Sequence, residues 1–173
     1  MKRLLIVVAV AFAAALVVPV ASAERPVVVA GGGTGTFAAD LDGDGDVDGS
    51  HFGVGAVFGS GTPRGHFECL MAGNADILGL PLMAVEGKVT GGSADAASGA
   101  ATLTGVATVS LGSEGAFRGV PYEVRLWTGG PAAGRLQLTV IGAFDGVPGD
   151  AIPGNGNYDL PVETVATGQI GIR

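Results

Sequence analysis

Past residue 23 this chain rarely runs more than a few residues without a glycine. The longest Gly-free stretch there is 157–167, eleven residues, and Pro161 interrupts it. Gly and Pro are the two poorest helix formers, so a helical bundle is excluded. All 32 glycines fall within the last 150 residues, about 21% of them, roughly three times the usual level. The chain nevertheless has the means to fold: its mean hydropathy is +0.49, and Val, Leu, Ile and Phe recur throughout, unlike the composition of a disordered segment. About 150 residues suit one domain with a substantial core.

Residues 1–23 read as a secretory signal. Lys2 and Arg3 provide the positive start, residues 4–18 are apolar without interruption, and Ala21-Ser22-Ala23 has the small-x-small pattern of a cleavage site. The expectation is a secreted or cell-surface protein with no membrane span after cleavage. Residues 24–33 then read as a lead-in, and 34–173 as a single β domain. Removing 1–23 leaves seven basic and sixteen acidic residues, a net charge of −9 that repels phosphates and argues against a nucleic-acid partner. Cys69 is the sole cysteine, so no intramolecular disulfide can form. It sits in an apolar strand pattern with no base beside it, which reads as a small buried hydrophobe.

The fold class follows from short alternating segments bounded by Gly and Pro. In one hairpin, Phe52, Val54, Ala56 and Phe58 would face inward opposite Phe67, Cys69 and Met71, joined by a five-residue link at 59–63. Further strands are expected at 83–90 (Val85 and Val89 inward), 101–111 (Leu103 and Val109), 119–128 (Val120, Tyr122, Val124 and Leu126), 135–144 (Leu136, Leu138 and Val140) and 169–173. Weaker strands fit 27–29 and 34–37, with the Gly31-Gly32-Gly33 run as a turn. Long Gly-rich loops fall at 91–99 and 145–157. The prediction is an all-β, antiparallel sandwich or barrel of seven to nine short strands, with no room for crossover helices.

One segment stands out chemically. In 40–51, Asp40, Asp42, Asp44, Asp46 and Asp48 occupy positions 1, 3, 5, 7 and 9 of a twelve-residue loop. Gly45 at position 6 suits a sharp turn, and Val47 at position 8 is an apolar anchor. Short carboxylates at alternate positions are the arrangement that wraps a hard cation, and calcium is the cofactor it implies. The segment resembles the calcium loops of EF-hands and dockerins. Position 12, ordinarily acidic, is His51, so a coordination place would fall to water or to a carboxylate from elsewhere. A solvated acidic turn with no ion is the competing reading.

Other chemistry is sparse. No G-x-S-x-G elbow occurs, and Ser60, Ser93, Ser98 and Ser113 lie in Gly-rich turns. His66 and Glu68 project from one strand face and form the single candidate acid/base pair. With Phe58 paired to Arg64, His66 would face Ala56, and His51 would lie five residues further along, out of reach of a shared ion. Trp127 falls on an outward face with Glu123 and Arg125, where it could stack on a sugar ring or cover the end of a barrel.

The Gly31-Gly32-Gly33-Thr34 opening, the hairpin HFGVGAVFGSGTPRGHFECL, the Tyr122-to-Trp127 strand and the closing GQIGIR together resemble exported bacterial all-β domains of the post-COAP type. The acidic loop then looks like an insertion into the first hairpin. Such domains carry a D-N-G-E-P-G-like turn where this chain has Trp127-Thr128-Gly129-Gly130-Pro131, so any role of those acids is absent. The resemblance implies export and a β-rich fold, and brings no catalytic residues. The functional expectation is a non-enzymatic, calcium-stabilised exported domain with a structural or cell-surface interaction role and a protein or glycan partner. A carbohydrate-binding module using Trp127 and Tyr158 is the alternative, and a hydrolase using His66 and Glu68 is the third reading.

Overall fold

A computed structural model describes residues 25–40, 45, 47–72, 83–112, 115–129, 133–147 and 149–173. The signal expected at 1–23 lies outside them. Among the described residues nine strands follow in order: β1 (Val27–Thr36), β2 (Gly49–Phe58), β3 (Arg64–Ala72), β4 (Met83–Asp95), β5 (Ala100–Leu111), β6 (Ala116–Trp127), β7 (Arg135–Ile141), β8 (Asn157–Asp159) and β9 (Glu163–Ile172). Every pairing is antiparallel. No helix among the described residues is long and apolar enough to cross a membrane.

The pairings close on themselves. β1 to β7 pair in succession, β7 also pairs with β9, and β9 returns to β1, so eight strands make a ring. β8 takes the rest of the edge that β7 offers to β9. Of the two architectures open to the sequence, the structure is therefore the barrel. Thr164 faces Thr36, the last residue of β1, on one side and Arg135, the first of β7, on the other. That offset is the stagger a tilted sheet needs to close.

Alternation placed most of the core correctly, with Val120 only partly buried against it. Phe52, Val54, Ala56, Phe67, Cys69, Met71, Val85, Leu103, Val109, Tyr122, Leu126, Leu136, Leu138 and Val140 are all buried. Eight strands enclose a lumen that side chains can fill, and Tyr122 stacks on Phe67 across it with ring centroids 5.9 Å apart. The Tyr122 hydroxyl is buried with no hydrogen-bond partner among the described residues, and burial pushes its pKa up to about 12. Replacing it with Phe removes an unsatisfied donor at nearly constant shape, so Tyr122→Phe should stabilise the fold by about 1 kcal/mol. A urea titration showing a loss instead would reveal a partner for that hydroxyl.

Several expectations need correction. The run Gly31-Gly32-Gly33 is the middle of β1 rather than a turn, and the 24–33 lead-in supplies most of a strand held between β2 and β9. Those glycines broke the apolar alternation without breaking the strand, because residues opposite them occupy the space: a Cβ on Gly31 would sit 2.6 Å from the Gln169 carbonyl oxygen. The 91–99 loop shrinks to 96–99, since β4 continues to Asp95 through a bulge between Val89 and Gly91. β9 begins six residues before the expected 169–173 strand, while β7 stops at Ile141 rather than 144. Finally, Arg64 pairs with Val57, not Phe58, so His66 faces Gly55.

Candidate functional site

The acidic loop bridges the end of β1 and the start of β2. Asp40 anchors its beginning: Oδ2 accepts the Gly45 N–H at 2.8 Å, and Gly45 takes φ +96°, the left-handed turn expected at position 6. Asp48 anchors the other end. Its side chain is fully buried, and its carbonyl accepts the Phe37 N–H at 2.9 Å. His51, at position 12, is exposed on β2 opposite Leu70. Asp42, Asp44 and Asp46 lie outside the described residues. Among the described residues no three His, Cys, Asp or Glu side chains gather as a metal site.

Just past the loop, the inner face of β2 carries Ser50, whose Oγ donates to Glu163 Oε2 at 2.6 Å. Glu163 is fully buried, and its Oε1 has no hydrogen-bond partner among the described residues. Burial raises its pKa from the ordinary 4.5 to about 7, against the hydrogen bonds from Ser50 that favour the ionised form. Room for the carboxyl exists because Gly35, on the strand between, has no side chain: a Cβ there would collide with Oε2. Cys69 packs nearby, its pKa pushed up to about 12 chiefly by burial and then by the Glu163 charge, with the Ser50 hydrogen bond opposing. The thiol is thus un-ionised and inert, as its sequence setting suggested. Nothing in the sequence reading pointed to Glu163. The available signal was its place two residues before Val165, on the same strand parity as a core residue.

The candidate acid/base pair does not meet as a pair. His66 Nε2 lies 3.7 Å from Glu86 Oε1, with both side chains exposed, while Glu68 stands directly opposite Glu86 in the sheet. His51 and His66 share the outer face, four residues apart by register, about 13 Å at about 3.3 Å per residue. The corrected register puts them on one side of the sheet without bringing them within reach of one ion.

Trp127 does lie on the outer face of β6, half-buried, with the Arg135 guanidinium carbon 5.4 Å from its ring centroid. Tyr158 cannot join it, because its ring is wholly buried. Along the same outer face, Arg125 Nε donates to Glu123 Oε1 at 2.8 Å. Gln137 and Thr139 of β7 stand opposite these two. The 142–156 connection folds against this wall to leave a pocket of about 410 Å³. Loop acids hold it in shape: Asp145 accepts the Gly154 and Gly156 N–H groups at 2.6 and 2.9 Å, and Asp150 accepts those of Gly146, Ile152 and Asp159.

No family model matches this chain, and neither does any curated protein or solved structure.

Proposed function

We propose that this protein is an exported, non-enzymatic β-barrel domain whose acidic loop binds calcium, acting as a structural or cell-surface interaction module. The observation that carries this reading is the set of five aspartates at alternate positions of the sequence, with Asp40 accepting the Gly45 N–H at the turn. Carboxylates so closely spaced repel one another unless a cation neutralises them. A domain with no disulfide gains from such a clasp at the junction of two barrel strands. The residues that would hold the ion are Asp40, Asp42, Asp44, Asp46 and Asp48, the last also tying the end of the loop back to Phe37 through its carbonyl.

The test is differential scanning calorimetry in EDTA and in millimolar calcium. At about 100 times the dissociation constant, calcium should add about 2.7 kcal/mol, a rise in Tm of about 5–10 °C for a domain of this size. Asp42→Asn with Asp44→Asn should abolish the rise. The same transition in both buffers would overturn the calcium reading.

A further inference from the structure

We propose that the groove between the outer face of β6–β7 and the 142–156 connection is a binding site for a neutral saccharide. This goes beyond the calcium reading and rests on the view of the domain as an interaction module. The barrel interior is filled by side chains, so a ligand must be met on the outside, and this pocket falls within the range of about 300–1,000 Å³ typical of small-molecule sites.

The chemistry of the walls selects the ligand. Three of its polar side chains, Gln137, Asn157 and Arg125, each spend one group on the scaffold and keep another. Gln137 Nε2 donates to the Leu160 carbonyl at 3.3 Å, which leaves its Oε1 as an acceptor. Asn157 Oδ1 accepts the Gly142 N–H at 3.1 Å, which leaves its amide as a donor. Arg125 uses Nε on Glu123 and keeps its terminal nitrogens. Sugar hydroxyls both donate and accept, so they suit such alternating, pre-fixed groups. Ile141 and Ile152 supply the apolar surface for the C–H face of a pyranose.

Charge argues against an anionic or cationic ligand. Arg125 is already paired with Glu123. Asp159, at the base of the groove, has both oxygens engaged, one by Thr139 Oγ1 at 2.7 Å and the other by Asn155 Nδ2 at 2.6 Å. Trp127 lies beyond Arg125 on the same face, where a longer chain would reach it. Its ring already carries Arg135, so it extends the site rather than founding it.

The test is an immobilised array of neutral hexose and pentose oligosaccharides beside uronate-bearing and sulfated ones, probed with the full protein in EDTA and in calcium. Wild type should bind at least one neutral glycan. Arg125→Ala, an exposed change that should leave Tm unaltered, should weaken that binding tenfold or more. His66→Ala, on the opposite wall of the barrel, should leave it unchanged. No binding to any neutral glycan, binding to acidic glycans alone, or full binding by Arg125→Ala would each overturn the proposal. Because both buffers are used and Tm is read separately, failure here is distinguishable from failure of the calcium site.

Discussion

Between pH 4 and pH 8 the protein should lose about 3 kcal/mol of unfolding free energy to a single side chain, Glu163. Its pKa is about 7 in the folded barrel against an ordinary 4.5, and each pKa unit corresponds to about 1.36 kcal/mol. Below pH 4.5 folded and unfolded chains both hold the proton, and the full stability is present. Between 4.5 and 7 the unfolded chain releases it while the folded chain retains it, so stability falls as pH rises. Above 7 both are ionised and the loss is complete. The cause is a carboxylate fully shut off from solvent with one oxygen satisfied by Ser50 and the other by nothing among the described residues. Urea titrations at half-unit intervals should show that slope in the wild type and a nearly flat profile in Glu163→Gln, with the variant at least as stable as wild type at pH 8. Parallel profiles for the two proteins would mean that Glu163 ionises at its ordinary value and that the interior there is wet.

What the sequence allowed to be read, and what it hid, divides along physical lines. The β2–β3 hairpin was legible because Phe52, Val54, Ala56 and Phe58 alternate cleanly and the link is short, although the register slipped by one residue at Val57–Arg64. Barrel closure was not legible, since it depends on Arg135 and Leu136 meeting Thr164 and Glu163, and periodicity carries no record of which strands are neighbours. β1 was split in two because glycine offers no side chain to alternate. Glu163 was missed for the opposite reason: a carboxylate near a strand start reads as solvated, and only the empty position at Gly35 makes room for it inside. The acidic loop was visible from spacing alone, whereas the groove was not. Arg125 and Gln137 become neighbours through β6–β7 pairing, and the Asn157 amide joins them only after Asp145 and Asp150 have folded the intervening loop.

Gly87→Ala should cost about 3 kcal/mol, at the upper end for adding one carbon to a core, and should lower Tm by about 6–12 °C. Gly87 faces inward on β4 between Val85 and Val89, paired with Phe67 on one side and Ala107 on the other. A Cβ there would collide with Tyr122 Cε1, and would lie 3.0 Å from both Tyr122 Cζ and the Ala107 side chain. The ring has nowhere to go: it is stacked on Phe67 and lies across Gly105, its partner on β5. In an open sandwich two sheets could part by a few tenths of an ångström to absorb a methyl, but a closed ring of hydrogen-bonded strands cannot widen at one place without straining its neighbours. The strain should therefore be relieved from the tyrosine side. Tyr122→Leu alone is destabilising through lost packing, yet combined with Gly87→Ala the two effects should fall short of their sum by at least about 1 kcal/mol. Additive losses in that double-mutant cycle, or a Gly87→Ala protein that unfolds like wild type, would show that the lumen has slack and is not the filled barrel described above.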